Sequence, residues 1–417
     1  MDTMDNKNED TTRDHFRQCA DFLTKFVGLW SQEVLNNYPT SFDAYPQDWL
    51  SELSSLSSEE QWLLECRKLP NHSLTKQLIK PLEQIESVPH WPLDNKEITY
   101  PTWAFQKVSA KKQHEITSLT KLVSQISGQE SPKRILDIGG GAGHLARILS
   151  YYHGHDVTSL DQSSEFQDLG RKRLVKYPIP DHAGQVTFLP HQFGQKDDTK
   201  HFNNIDLSIG LHTCGPLALD HLKQAITLKN HQLINIGCCY HKLDKSDVPD
   251  VMVSKLASDY RLRLSKHALT LATRGRTEIS PAQFELKKRV KYYRAALHLY
   301  LYYEHGLTDF ITMGSSLPAT YRQDFANYAI ANIKNTRELT INPSQKELND
   351  FYKRPQIQET LNKIFYANLI RWQFSRVIEK TILLDRVLWL REHGLNARLY
   401  QIFDALISPR NMMIVIS

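Results

Sequence analysis

The sequence predicts an α/β protein: a doubly wound, mostly parallel sheet of the Rossmann-like kind, closed by an antiparallel C-terminal hairpin. A helical region precedes it, and a large helical insertion separates the fifth strand from the sixth. Three observations predict this. From Arg134 to Cys239, short apolar runs alternate with helical stretches, the pattern of a parallel sheet covered by helices on both faces. After Leu243 the alternation stops, and residues 246–392 read as almost wholly helical. The last two apolar runs, ARLYQIF and NMMIVIS, flank the short turn DALISPR, which suits an antiparallel pair.

Taken in order, residues 1–105 form the N-terminal helical region. FRQCADFLTKFVGLWSQEVL carries apolar residues at helical spacing. In SSLSSEEQWLLECRKL, Ser57 or Ser58 serves as an N-cap with acids in the first turn. The stretch 88–101, with three prolines, reads as a linker. The sheet domain is expected over 106–245 and, after the 246–392 insertion, over 393–417. Ser109 starts a helix from about Ala110 to Ser127, ended by Gly128 and Pro132. RILDIGG, DVTSLD, QVTFLP, IDLSIGLHT and HQLINIGCC are the first five strands, with HLARILSYY, SEFQDLGRKRLVKY and PLALDHLKQAITL among the helices between them.

Composition narrows the function classes. The chain has 417 residues, 41% apolar and 23% charged, as in ordinary globular proteins. No apolar run approaches the roughly twenty residues a membrane helix needs, so no membrane role is expected. The polar, acidic start MDTMDNKNEDTTRD does not resemble a secretory signal. Five cysteines, at 19, 66, 214, 238 and 239, are odd in number and show no framework spacing, which fits a reducing cytoplasm. The net charge is +5. It concentrates between Lys255 and Arg294, where eleven Lys or Arg face only Asp259, Glu278 and Glu285. Such a window, with Tyr260, Tyr292 and Tyr293 among its cations, could track phosphates and stack bases, or be a solvated helix face over core tyrosines.

The first chemical signal is Asp137-Ile138-Gly139-Gly140-Gly141-Ala142-Gly143, between a strand and a helix. Glycines allow a tight turn and a close approach to a ligand, and the next helix offers free N–H groups. Asp161 ends the following strand, placed to grip ribose hydroxyls. Gly141 to Ala146 also satisfies the dinucleotide pattern GxGxxG/A, so a nicotinamide cofactor is an alternative. Asp137, two residues before the first glycine, and the closing hairpin favour S-adenosylmethionine and the class I methyltransferase fold. The cofactor residues are then Asp137, Gly139, Gly141, Gly143 and Asp161.

Four further motifs resemble the methyltransferase-like protein twenty-five family: Ser109-Ala110-Lys111-Lys112-Gln113-His114-Glu115, Leu211-His212-Thr213-Cys214-Gly215, Gly237-Cys238-Cys239-Tyr240-His241-Lys242-Leu243, and Ser408-Pro409-Arg410-Asn411. Tyr293-Arg294-Ala295 is similar too. The match runs from about residue 105 to the C-terminus. The HxCG and CC-H pair also resembles tRNA ribose methyltransferases. The resemblance implies an S-adenosylmethionine-dependent methyltransferase acting on RNA or a ribosomal component, with Lys112 and His212 near the cofactor and Cys214, Cys238, Lys242 and Arg294 near the acceptor. A protein side chain as acceptor, or a non-catalytic RNA-binding module on this fold, are the alternatives. Neither the NPPY tetrad of exocyclic adenine methyltransferases nor a clear Lys-Asp-Lys-Glu set is present.

The paired cysteines admit several readings. No metal site is expected, because neither CxxC nor HxxxH spacing occurs. Strand alternation also puts Cys238 and Tyr240 on one face, Cys239 and His241 on the other. A nucleophilic cysteine needs a partner base, which direct methyl transfer does not call for. The expectation is a pocket wall: small cysteines, Tyr240 against the acceptor, and His212 and His241 as general bases. A structural histidine is the alternative for either one.

Overall fold

Seven strands pair in the order β3-β2-β1-β4-β5-β7-β6 in a computed structural model that describes residues 2–94, 98–127, 133–195, 198–228, 232–243, 246, 250–275, 278–313 and 316–417. They are β1 Arg134–Ile138, β2 Asp156–Asp161, β3 Val186–Pro190, β4 Leu207–Cys214, β5 Gln232–Cys238, β6 Ala397–Gln401 and β7 Met412–Ile416. The first five are parallel, and β7 runs antiparallel between β5 and β6. This is the class I methyltransferase order. The apolar runs pair in this way because a strand buried on both faces has no polar side to turn to water.

Chain order reverses between β1 and β4, and the crevice at that switch point lies outside the strands' carboxyl ends. Asp137 pairs with Ile209, so the segments leaving β1 and β4 run side by side. On one face, Ile135, Leu207, Ile209, Leu211, Ile234 and Ile236 share a core with the helices Ala110–Ser127 and His144–His153. On the other face Leu136, Ile138 and Leu160 pack with Phe193 and Phe202. Asp137 follows Leu136, so alternation turns it to the face of Ala110–Ser127.

The chain divides into two units, one of Met1–Lys25, Ile85–Thr277 and Ser375–Ser417, the other of Phe26–Gln84 and Glu278–Phe374. This differs from the boundaries expected at 105 and 245. The helix Asp2–Lys25 packs on Ser375–Glu392 within the sheet's unit, so the 1–105 region is split. Within the expected 246–392 insertion, Pro355–Trp372 and Ser375–Glu392 are separate helices, parted at Gln373 and Phe374, and the units divide there. Ser375–Glu392 is buried on nearly every face. Its Asp385 accepts from the backbone N–H groups of Val253 and Ser254, both at 2.9 Å, anchoring the start of the helix Lys255–Tyr260.

The second unit is helical. Ser57, Ser280 and Ser344 each close a capping box with the Glu or Gln three residues on, satisfying helix-end N–H groups as expected of Ser57. On the helix Pro281–His305, Lys287 pairs with Glu65 and sits 3.6 Å from the Trp372 ring centroid, and Lys288 donates to Gln61 at 3.0 Å. Tyr292 and Tyr293 pack against Phe365 and Phe325. This part of the basic window is therefore core aromatic with cations held inside its own unit. No helix among the described residues is long and apolar enough to cross a membrane.

Ile209 is fully buried at the centre of the sheet. Ile209→Ala is expected to cost about 2–5 kcal/mol, read as a lowered midpoint in urea unfolding.

Candidate active site

The turn after β1 is pinned to β2. Gly139 and Gly140 both donate to the Leu160 carbonyl, at 2.8 and 3.1 Å. Gly139, Gly141 and Gly143 have φ of +72°, +58° and +66°, the left-handed region that glycine enters at no steric cost. Gly140 is held by space instead. A Cβ there would lie 2.3 Å from Ser159 Oγ and 2.6 Å from Asp137 Oδ2. At Gly143, which begins the helix His144–His153, a Cβ would lie 2.4 Å from the Phe188 ring. Around a Cβ on Gly141 nothing lies within 4 Å, so the turn keeps an open side.

Asp161 buttresses that turn. Its Oδ2 accepts from Gly141 N at 3.0 Å and its Oδ1 from Ser163 N at 2.9 Å, leaving each oxygen a further lone pair for a ribose hydroxyl. Asp137 is only 2% exposed. Burial pushes its carboxyl up to about 7, against the pull of Lys112 and with the push of Asp161. Its Oδ2 has no partner among the described residues. Lys112 also acts on His144 at the start of the next helix; burial, then Arg173, Arg147 and Lys112, lower that imidazole to about 4. The expected cofactor residues Asp137, Gly139, Gly141, Gly143 and Asp161 thus gather where β1 and β2 end, and Lys112 acts on Asp137 through its charge.

His212 stands beside it. The β4–β5 register slips between Leu211 and Thr213, and His212 at this bulge has φ +61°. A non-glycine residue there is strained, and such strain persists only where surroundings enforce it. Its Nε2 lies 2.8 Å from Glu115 Oε1. Glu115 is 1% exposed and also accepts from Ser408 Oγ at 2.7 Å. Burial pushes its carboxyl up, but His212, Ser408 and Lys111 outweigh that and hold it below the usual range. An ionised carboxylate only accepts, so the shared proton belongs on Nε2 and Nδ1 is left as the acceptor. Glu115 and Ser408 were quoted in motifs but given no role by sequence reasoning. The signal was present: each is a polar residue of a motif already singled out.

The cysteines depart from expectation. Cys214 Sγ lies 3.1 Å from Cys238 Sγ and 3.4 Å from Cys239 Sγ, and the last two are 3.6 Å apart. Alternation was expected to part Cys238 from Cys239. It fails because β5 ends at Cys238 and Cys239 turns left-handed, with φ +51°. All three thiols therefore face one point, within metal-binding reach, and the expectation of no metal site does not stand on its geometry. The thiol of Cys238 donating to Cys214 lowers the Cys214 pKa to about 5, against burial and with help from Cys239, Lys242 and His212.

Tyr240 is a correction. It is fully buried, donates to Glu379 Oε1 at 3.2 Å, and has the Arg386 guanidinium 5.6 Å from its ring centroid. With Cys239 left-handed the ring lies in the core, so it cannot face an acceptor. His241 is exposed, with its backbone N–H and Nδ1 both 3.2 Å from Thr273 Oγ1. It is not held by a carboxylate as His212 is. Lys242 lies beside Gly215, where an added Cβ would meet its Cβ at 2.8 Å. Arg294 belongs to the second unit, where its Nε donates to Tyr321 Oη at 3.2 Å.

Residues 111–246 match a family described as a methyltransferase domain. Over 61 residues the chain is 33% identical to the probable methyltransferase-like protein 25 of Homo sapiens, covering 15% of this chain and 10% of that one. The Mus musculus protein gives the same figures. The chain thus spans about a tenth of the length of these curated relatives. Among solved structures, the glycopeptide N-methyltransferase MtfA with S-adenosyl-L-methionine is 17% identical, with a TM-score of 0.22 over 28% of this chain and 52% of that one. The plantazolicin methyltransferase BpumL with SAH is 15% identical, with a TM-score of 0.24 over 76% of this chain and 93% of that one. Likenesses so distant carry no substrate over to this chain.

Two outcomes follow from the turn. Gly140→Ala is expected to destabilise the fold by about 1–3 kcal/mol, read by thermal unfolding, because the methyl must displace Ser159 and Asp137. Asp137 keeps in the folded state a proton that the unfolded chain loses near its ordinary value of 3.8. Stability should therefore fall as pH rises from there to about 7. In Asp137→Asn this decline should vanish, read from urea midpoints across that range.

Proposed function

We propose that this chain, through its methyltransferase domain, transfers a methyl group from S-adenosylmethionine to an RNA or ribosomal acceptor. One observation carries the reaction: an open glycine turn and a carboxylate-held histidine leave adjacent strands at the switch point. When bound, S-adenosylmethionine supplies an activated methyl on a sulfonium. Gly139 to Gly143 give the backbone approach. Asp161 offers lone pairs to the ribose hydroxyls, and Asp137 and Lys112 line the same cluster.

His212 then has one task. Its Nδ1 would take the proton that the acceptor gives up, and the Glu115 carboxylate would stabilise the resulting imidazolium. A buried anion fixed before the reaction stabilises developing positive charge at no cost in reorganisation. Cys214, Cys238 and Lys242 lie next to His212 and would border the acceptor.

The basic window and the local resemblance support the RNA or ribosomal acceptor. The pairing of Lys287 and Lys288 inside their own unit narrows that support to the rest of the window, such as Lys255, Arg261 and Arg263. A protein acceptor is the second reading, favoured by the limited number of unengaged cations on Pro281–His305.

His212→Ala should bind S-adenosylmethionine as the native chain does in calorimetry, yet lose about 10²–10⁴ in rate. Glu115→Gln should lose less. The acceptor is read by incubating the chain with methyl-labelled S-adenosylmethionine and fractionated lysate. Nuclease-sensitive label supports RNA; protease-sensitive label overturns it in favour of protein. Calorimetry that finds RNA binding without S-adenosylmethionine binding would make the chain a binding module instead. Binding of NAD(H) alone would make it a dehydrogenase.

A further inference from the structure

Two side-chain clusters among the described residues have the donor atoms of a metal site. In the first, His191, Asp198 and His201, the carboxylate is already committed. Asp198 accepts from His191 at 2.6 Å, from Gln195 N at 2.7 Å and from Gly194 N. It caps its own loop, and little of its capacity is left for a cation.

The second differs. We propose that Cys214, Cys238 and Cys239 form a zinc site with three thiolate ligands and an exchangeable fourth position. The three sulfurs stand 3.1, 3.4 and 3.6 Å apart. Zinc–sulfur bonds of about 2.3 Å in a tetrahedron set sulfurs about 3.8 Å apart. The pairs therefore need to open by about 0.7, 0.4 and 0.2 Å. Zinc in place of three crowded thiols replaces mutual contact by a shared cation, and thiolates are the ligands that favour it.

The backbone is shaped for this convergence. Cys214 ends β4 one strand away from Cys238, and the two are register partners. Cys239 would point to the opposite face of β5 but for its left-handed φ. The other polar contacts of Cys214 and Cys238 are weak, to the His212 carbonyl at 3.5 and 3.4 Å, so metal binding disrupts little. Among the described residues no His, Asp or Glu completes the set. Three protein ligands and one open position is the arrangement of zinc sites that exchange a water or a substrate atom. The site lies at the carboxyl ends of β4 and β5, two residues from His212. Zinc uptake does not depend on methyl transfer.

The test uses the full chain, purified under reducing conditions and stripped of metal. Zinc titrated against a chromophoric chelator should bind at one equivalent. Cobalt in its place should give sulfur-to-cobalt charge-transfer bands and the visible bands of a tetrahedral site. Cys214→Ser and Cys239→Ser should each weaken zinc binding about a hundredfold or more. Cys19→Ser and Cys66→Ser should leave it unchanged. Should the site variants fail to fold, alkylation of the native chain decides: zinc should protect Cys214, Cys238 and Cys239 and leave the labelling of Cys19 and Cys66 unaltered. No zinc uptake by the reduced chain, uptake that survives loss of all three cysteines, or a disulfide among them in the metal-free protein from reducing cytosol would each overturn the proposal. Calorimetry with S-adenosylmethionine, run alongside, reports on the methyltransferase reading separately.

Discussion

An ionised carboxylate with 1% exposure has to be paired, and Glu115 is the group around which the candidate site is built. An unpaired buried charge costs several kcal/mol, and removing one partner of a buried pair costs about 3–5 kcal/mol. Glu115 meets that demand with donors from distant parts of the chain: His212 at the β4 bulge and Ser408 in the turn before β7. Satisfying one anion therefore joins the helix before β1, the fourth strand and the closing hairpin. It also fixes the imidazole tautomer.

A second buried carboxylate repeats the device behind the site. Glu379 receives Tyr240 Oη at 3.2 Å and Arg410 at 3.3 Å, with Arg376 at 3.5 Å. Arg410 also donates to the Ala272 carbonyl at 2.7 Å. The SPRN motif thus serves both anions, Ser408 the one beside the cofactor crevice and Arg410 the one beneath the cysteine turn. Tyr240 is part of that support. Its burial locks the chain just after Cys239, and so helps to hold the three thiols where they are.

Most of the sheet was legible in the sequence. The strands DVTSLD and NMMIVIS and the helix Ala110–Ser127 lie within a residue of their expected ends, because continuous apolar runs and glycine punctuation are local signals. The cofactor cluster was legible for the same reason: glycines and acids at strand ends act through the backbone nearby. The two-unit division was less so. Apolar periodicity runs on through Gln373 and Phe374, and it says which face is buried but not in which core.

The sequence by itself determined the fold class and the glycine turn, since each rests on residues close together in the chain. Only the tertiary structure decided what Glu115, Ser408, Cys239 and Tyr240 do. Glu115 meets His212 across 97 residues and Ser408 across 293, pairings no local pattern encodes. Cys239 and Tyr240 were assigned by strand alternation, and one left-handed residue reverses alternation. Whether a chain turns left-handed at a non-glycine position is settled by the packing that enforces it, here the burial of Tyr240 against Glu379.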